Sequence, residues 1–368
     1  MGNYLRHGMA SVLIDGQFGS TGKGLAAAYQ VERIENNEPH VNWNFVVCTT
    51  NAAPNAGHTT VLPNGKKFVT FHMPTMGVMK EQAVIYLNAG AIIDLDMLRD
   101  EINDLGIDAR RVIVHPNAAV ITQDDKDYEK NKESGATKIA STQKGVGRAL
   151  ARKIMREGVT AKDVYKQLEA MKVTVNKLDL NEMMERNFAV SIETPQGMGL
   201  SLNNGFHPHC TSREVSVAQS LSDAGVHPAY LNQTLMTART HPIRVGNIVD
   251  EDGKQIGYSG GVYPDQYELD WSNFPNVEPE RTTVTKRVRR IFTFSATQYK
   301  ESIARLRPDI VHLGFCDYLR DVKELNDIVN KMIVAHAFYN AKPEVLCSFG
   351  PSTSDVVTLD EARERLSK

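Results

Sequence analysis

The segment DGQFGSTGKG, residues 15–24, contains four glycines and one lysine. It follows an apolar run at 9–14 that is typical of a buried strand, and it precedes a helical pattern at 25–31. A glycine-rich loop between a strand and a helix can bind phosphate, because backbone N–H groups and the positive end of the helix face the anion. Lys23 would add a positive charge. The segment predicts a P-loop-like nucleotide site, and the alternative is a glycine-rich turn without a ligand.

Outside this loop, short apolar runs alternate with helical patterns. Unbroken apolar runs are typical of strands that are covered on both faces, and they occur at 45–48, 83–87, 111–115, 188–192, 309–315 and 344–349. Helical patterns occur at 95–105, 161–171, 213–224 and 322–336. Turn residues at 63–65 and 252–253 indicate two hairpins. The alternation predicts an α/β fold with a mainly parallel central sheet flanked by helices.

Composition excludes several classes of protein. The chain has 368 residues, 41% of them hydrophobic, with 42 basic and 44 acidic side chains, so no net charge attracts nucleic acid or a membrane surface. No apolar run reaches the roughly 18 residues that span a bilayer, and residues 1–15 do not resemble a signal peptide. The four cysteines are scattered, as in reduced proteins. We expect a cytoplasmic protein with one elaborated domain over residues 1–368, and neither nucleic acid nor membrane as a partner.

Four further features have a functional and a structural interpretation. His58 lies in a Gly/Asn loop and could donate a proton, or it could be structural. The basic run at 286–290 could bind carboxylates or form an exposed basic surface. The histidines at 207 and 209 lack a third ligand at suitable spacing, which favours a structural role. The charged segment at 123–133 is interpreted as a solvated helix or loop.

Seven segments in a fixed order resemble the motifs of adenylosuccinate synthetase. GQFGSTGKG at 16–24 and NAGHT at 55–59 resemble that family's GxQWGDEGKG and NAGHT loops. STQKG at 141–145, ETPQG at 193–197 and TS at 211–212 resemble its TTG[RK]G, EGAQG and TS segments. TTVTKRVRR at 282–290 resembles its aspartate loop, and SFGP at 348–351 resembles its STGP. The similarity extends from about residue 10 to 355, which is nearly the whole chain.

The resemblance implies a homodimeric α/β enzyme. Such an enzyme phosphorylates the 6-oxygen of a purine nucleotide with a nucleoside triphosphate and Mg²⁺, and then displaces the phosphate with L-aspartate. Ser20, Lys23 and His58 would occupy the catalytic positions, and Ser20 and the Gly57 carbonyl those of Mg²⁺ ligands. The implied triphosphate-binding residues are Gly19, Thr21, Gly22, Lys23, Gly24, Asp317 and Gly350. The purine monophosphate would contact Ser20, Asn55, Thr142, Gln196 and Thr211, together with Arg156 of the second subunit, and the aspartate would contact Thr285, Arg287 and Arg289.

Two departures from the family pattern concern the substrates. Ser20 and Thr21 replace the family's Asp-Glu pair, whose Asp removes the proton from purine N1. A serine cannot do this near neutral pH, and a positioned base contributes roughly 10²–10⁴-fold. The smaller side chain leaves space beside purine C2, and its oxygen could accept a hydrogen bond from a 2-amino group. Phe315 replaces the lysine of the family's guanine-reading [TN]KxD motif, so ATP is expected instead of GTP.

Both departures resemble the phage branch of the family, which makes N6-succino-2-amino-2′-deoxyadenylate. The expected substrates are therefore dGMP, L-aspartate and ATP. One alternative is an ordinary adenylosuccinate synthetase that uses inosinate and GTP, and another is a non-catalytic nucleotide-binding relative. A water molecule, His58 or the substrate aspartate could replace the missing base, and the sequence does not decide among them.

Overall fold

A computed structural model describes residues 4–37, 41–131, 133–282 and 286–368. The strands of these residues are β1 (Ala10–Asp15), β2 (Val46–Thr50), β3 (His58–Val61), β4 (Lys67–Thr70), β5 (Val84–Leu87), β6 (Ile92–Ile93), β7 (Val112–Val114), β8 (Ala119–Val120), β9 (Thr174–Val175), β10 (Ala189–Glu193), β11 (Leu231–Arg239), β12 (Ile243–Arg244), β13 (Ile248–Val249), β14 (Gln255–Gly257), β15 (Glu268–Leu269), β16 (Arg290–Phe292), β17 (Ile310–Gly314), β18 (Glu344–Ser348) and β19 (Val356–Thr358). The helices are α1 (Lys23–Asn37), α2 (Thr75–Met79), α3 (Leu95–Leu105), α4 (Gln123–Lys130), α5 (Gly135–Lys138), α6 (Val146–Met155), α7 (Tyr165–Ala170), α8 (Leu180–Glu185), α9 (Val217–Ala224), α10 (Ala296–Leu306), α11 (Val322–Phe338) and α12 (Leu359–Leu366).

Within the described residues, ten strands form the central sheet in the order β19-β18-β17-β11-β1-β10-β2-β5-β7-β9. Neighbouring strands are parallel except for β18 and β19, which are antiparallel. The predicted α/β fold with a mainly parallel sheet is confirmed. The structure adds β11 beside the central strand β1, which the sequence analysis missed. Polar residues at 232–234 interrupt the apolar pattern of β11 and hide it.

Most of the predicted elements are present. The apolar runs at 9–14, 45–48, 83–87, 111–115, 188–192, 309–315 and 344–349 correspond to β1, β2, β5, β7, β10, β17 and β18. Helix α3 has the predicted bounds, and both hairpins form, as β3–β4 and β13–β14. The helix predicted at 213–224 begins only at Val217, because the Ser216 side chain accepts from the Gln219 N–H and caps it there. No helix in the described ranges is long and apolar enough to cross a membrane.

Apolar side chains cover both faces of the sheet. All six residues of β1 are buried. Leu13 belongs to a core cluster on the α1 side with Leu25 and Val31, whereas Val12 and Ile14 belong to the cluster on the opposite face. Burial on both faces explains the unbroken apolar runs in the sequence. The carboxyl ends of the parallel strands meet at one edge, where an α/β sheet typically binds its ligands.

The charged segment at 123–133 is more than a solvated surface. Most of it forms α4, and Asp125 and Glu129 are buried. The Glu129 carboxylate accepts from the N–H groups of Gly145, Gly147 and Arg148, at 2.8, 2.8 and 3.1 Å, at the start of α6. It therefore neutralises donors that the first turn of a helix leaves unpaired.

Candidate functional site

A cavity of about 810 Å³ opens at the carboxyl ends of the central strands. Its lining includes most of the expected site residues, namely Gly19, Ser20, Thr21, Gly22, Lys23, Gly24, Asn55, Gly57, His58, Thr142, Gln196, Thr211, Arg289, Asp317 and Gly350. Arg156 and Arg287 do not line it. Thr285 lies outside the described residues. The fold thus brings segments from the whole length of the chain to one cavity.

Asp15 at the end of β1 organises the glycine loop. Its carboxylate accepts from the Gln17 N–H at 2.7 Å and from the Thr21 hydroxyl at 2.5 Å, and it lies 3.3 Å from the Lys23 ammonium. The Lys23 ammonium also donates to the Gln196 carbonyl at 3.0 Å. The Thr21 hydroxyl is 2.6 Å from that of Thr237 on β11. Thr21 is therefore fixed beneath the loop by its side chain, and only its backbone is free to face a phosphate.

Backbone conformation shapes the loop around a ligand. Gly19, Ser20 and Gly22 all have positive φ, at 91°, 56° and 87°. This conformation is costly for the serine, which lacks the freedom of glycine. At Gly24 the constraint is space, because a Cβ there would lie 2.5 Å from the Thr59 carbonyl oxygen. That close approach holds the loop carrying His58 against the glycine loop.

A buried carboxylate orients His58. Glu193 at the end of β10 accepts from His58 Nδ1 at 2.5 Å, and from the Thr75 N–H and hydroxyl at 2.7 and 3.0 Å. The Nε2 atom of His58 is buried and has no hydrogen-bond partner among the described residues. Because the carboxylate at Nδ1 fixes the orientation of the ring, Nε2 is the atom that can exchange a proton with a ligand. The geometry suits a proton donor.

Ser20 is part of a network of charged side chains. Its hydroxyl accepts from Arg289 Nη1 at 2.8 Å, and its carbonyl accepts from Arg239 Nη1 at 3.2 Å. Both guanidiniums lie against Glu280, which also accepts from the Tyr318 hydroxyl at 2.7 Å. Burial by itself would raise the pKa of Glu280, but the charge and hydrogen bonds of Arg239 outweigh it, and the pKa is lowered. Glu280 therefore stays ionised and keeps both arginines in place.

Next to this network, Phe315 and Asp317 line the cavity after β17. The Arg239 guanidinium lies 3.6 Å from the centre of the Phe315 ring, a cation–π contact. Burial raises the pKa of Asp317, although Arg239 partly opposes this. The ring occupies the position where the family's lysine is expected.

The two arginines predicted to bind aspartate have different surroundings. Arg289 lines the cavity, as described above. Arg287 donates to the carbonyls of Gly246, Ala140 and Ser141, at 3.0, 2.9 and 3.1 Å. It therefore ties two loops together beside the cavity. Arg156 is exposed at the end of α6, outside the cavity of its own chain. Such a position is compatible with the predicted reach into a second subunit.

The sequence analysis did not identify Asp15, Glu193, Arg239 and Glu280 as site residues. Two of them share a signal that could have found them, since Asp15 and Glu193 each end a buried apolar strand, whereas Arg239 ends β11, whose apolar pattern is interrupted. A charged residue at the carboxyl end of a parallel strand lies at the ligand-binding edge of the sheet. Glu280 has no such signal.

The described residues contain no group of three or more His, Cys, Asp or Glu side chains that could hold a metal ion. Ser20 and Gly57 nevertheless both line the cavity beside the glycine loop. Mg²⁺ commonly keeps few protein ligands and binds mainly to the phosphates of a substrate. The donors fit an ion that arrives with a nucleoside triphosphate better than a resident ion.

Comparisons with known proteins identify the family of the chain. The family model of adenylosuccinate synthetase matches residues 12–178 and 162–336. The N6-succino-2-amino-2′-deoxyadenylate synthases of Vibrio phage phiVC8 and Salmonella phage PMBT28 are 37% and 35% identical over 357 and 367 residues, and each alignment covers 94% of this chain and 96% of the relative. The succinoaminodeoxyadenylate synthetase of cyanophage S-2L, solved with dGMP and with dATP as an energy donor, superposes with a TM-score of 0.81 at 32% identity, over 97% of this chain and 99% of that chain.

Proposed function

Because the chain belongs to the adenylosuccinate synthetase family, we propose that it joins L-aspartate to carbon 6 of dGMP with ATP as the phosphoryl donor. The products would be N6-succino-2-amino-2′-deoxyadenylate, ADP and phosphate. The observation that carries the proposal is Ser20, an exposed hydroxyl in the cavity at the position of the family's carboxylate. The names of the phage relatives, and the dGMP and dATP bound to the cyanophage enzyme, support the same substrates.

The first chemical step transfers the γ-phosphoryl group of ATP to the 6-oxygen of the purine, so the bond from the γ-phosphorus to ADP breaks and a new O–P bond forms. The proton on purine N1 is lost in this step, and a water molecule, His58 or the substrate aspartate would accept it. Lys23 and the N–H groups of the glycine loop would stabilise the charge on the phosphoryl oxygens. His58, oriented by Glu193, would donate through Nε2 where negative charge develops. Mg²⁺ bound with the triphosphate, near Ser20 and Gly57, would neutralise phosphate charge.

In the second step the amino group of aspartate attacks carbon 6, the C–O bond to the phosphorylated oxygen breaks, and the new nitrogen substituent releases one proton to the phosphate or to water. Phosphate leaves more readily than the original oxygen would, which is why the first step is needed. Arg289 would bind a carboxylate of the incoming aspartate, because a guanidinium can form two parallel hydrogen bonds with it. Since Arg289 donates to the Ser20 hydroxyl, a carboxylate bound by it would lie next to the purine edge.

Substitution of Ser20 tests the choice of purine. Wild-type protein should turn over dGMP with ATP and aspartate, and inosinate poorly. Ser20→Asp should reduce kcat/KM for dGMP by about 100-fold or more, because the carboxylate crowds the 2-amino group, and discrimination at hydrogen-bonded groups is large. Ser20→Ala is the matched control, since it removes the hydrogen bond without adding bulk and should cause a smaller loss.

The measurement is steady-state kcat/KM for dGMP and inosinate, with the succinyl-purine product identified by mass. A wild-type preference for inosinate would establish the ordinary synthetase instead. Binding of both nucleotides without any turnover would indicate the non-catalytic relative.

A further inference from the structure

Five Lys and Arg side chains of the described residues line the cavity, and four of them have polar partners. Lys23 binds Asp15, and Arg289 binds Ser20. Arg244 donates to the carbonyls of Ser259, Gly261 and His209, and Arg281 donates to that of Lys286. Arg148 is the remaining one. In the described part of the chain its guanidinium has neither a hydrogen bond nor an ion pair, and it lies 4.4 Å from the centre of the Tyr128 ring.

Arg148 lines the same cavity as Thr142 and Thr211, which are expected to bind the monophosphate. A Cβ on the adjacent Gly147 would be 3.7 Å from Ser212 Cβ, so the start of α6 is in contact with the loop that carries Thr211. Among the described residues between 128 and 151 that line the cavity, Glu129 is the only other charged side chain. Of the described residues in this segment, Arg148 is therefore the one that contributes a positive charge to the lining of the cavity.

The Tyr128 contact also sets the direction of the guanidinium. An aromatic ring covers one face of a stacked guanidinium and leaves its N–H groups, which lie in the plane, available to a ligand. Phosphate oxygens match that planar arrangement with two parallel hydrogen bonds. The Glu129 carboxylate does not compete, because the N–H groups of residues 145, 147 and 148 occupy it.

We propose that Arg148, supported by Tyr128, binds the 5′-phosphate of the nucleoside monophosphate within its own subunit. This assignment rests on the proposed function only in taking a purine 5′-monophosphate as the substrate. It adds a cation to the predicted contacts of Thr142 and Thr211, and it is independent of Arg156 and of any second subunit.

The test compares nucleotide with nucleoside. Arg148→Met keeps most of the apolar stem of the side chain but removes the guanidinium, and it should raise the KM for dGMP about 10- to 100-fold, as expected for the loss of a charged hydrogen bond. The inhibition constant of deoxyguanosine, which lacks the phosphate, should remain unchanged.

Tyr128→Leu should produce a smaller effect in the same direction, and Arg148→Lys should recover part of the loss. Arg152→Met is the matched control, because Arg152 lies on the same helix and binds Asp125 outside the cavity.

If Arg148→Met raised the KM for dGMP and the inhibition constant of deoxyguanosine by the same factor, the proposal would be overturned. Such a result would indicate a displaced loop instead of a lost phosphate contact. An unchanged KM for dGMP would overturn it as well. If the enzyme prefers inosinate, the proposed function fails, but inosinate and inosine provide the same comparison for Arg148.

Discussion

At the scale of single residues, Ser20 connects two expected substrate positions. Its hydroxyl accepts one hydrogen bond from Arg289 and keeps another lone pair and its own proton for the purine edge. A carboxylate at this position would hold Arg289 in an ion pair, which is stronger than a hydrogen bond to a hydroxyl. The serine therefore leaves Arg289 more readily available to the carboxylates of aspartate.

The pair of Glu193 and His58 leads to a prediction about the rate. Glu193→Gln should lower kcat by about 10- to 100-fold, which is part of the roughly 10²–10⁴-fold that a positioned acid contributes. The KM for dGMP should change little, because the amide still occupies the same space, but as a neutral acceptor it holds the His58 ring less firmly than a carboxylate does. Steady-state kinetics with both substrates would measure the two constants separately.

Glu101 provides the control for this experiment. It is buried and accepts from His72 Nδ1 at 3.1 Å, but neither residue lines the cavity. Glu101→Gln should lower the free energy of unfolding and leave kcat unchanged. A fall in kcat of similar size in both variants would show that Glu193 acts through stability and not by orienting His58.

At the scale of secondary-structure elements, β17 carries a histidine inside the sheet. His312 is almost fully buried, between Thr237 of β11 and Leu346 of β18 in the register. Neither ring nitrogen has a hydrogen-bond partner among the described residues. Burial lowers the pKa of His312 from 6.5 to about 4. The native state therefore keeps this ring neutral at pH values where the unfolded chain protonates it.

This difference makes stability depend on pH in a defined window. Between pH 6.5 and 4, His312 binds a proton in the unfolded state but not in the native state. The free energy of unfolding should therefore fall as the pH falls. The contribution of one such group is about 1.4 kcal/mol per pH unit. His312→Asn should reduce the slope of the free energy of unfolding against pH by that amount, whatever the stability of the variant at pH 7. Urea unfolding at several pH values from 7 to 4.5 would measure it, and an unchanged slope would contradict the assignment.

At the scale of the whole molecule, the end of α6 has the character of an interface. Ile154 and Met155 are 67% and 65% exposed, immediately before the exposed Arg156. Exposed apolar side chains in a group often mark contacts between proteins. We therefore expect this surface to form the interface of the predicted homodimer, in which Arg156 would reach the site of its partner.

Mixing of inactive variants tests this arrangement. His58→Ala and Arg156→Ala should each be nearly inactive alone, whereas an equal mixture that exchanges subunits should recover about a quarter of wild-type activity in a twofold dimer. Half of the dimers are then mixed, and each mixed dimer contains one complete site. Activity assays after refolding of the mixture would measure the recovery. No recovery, with subunit exchange verified, would mean that Arg156 acts within its own chain or not at all.

Local patterns in the sequence determined the fold class and the family. The glycine loop, the alternation of apolar runs with helical patterns and the order of the motifs are all properties of short segments, and the structure confirms the elements that they predict. The same patterns placed Lys23 and His58 near the expected nucleotide, because loops that follow parallel strands converge at one edge of a sheet.

The tertiary structure alone decided which side chains hold these residues. His58 and Glu193 are 135 residues apart in the sequence, and Arg239 meets Glu280 and Ser20 only because β11 lies beside β1. The free guanidinium of Arg148 likewise depends on where α4 and α6 pack. Apolar periodicity specifies that a strand is buried but not which strand lies next to it, and hydrogen bonds between distant residues depend on that order.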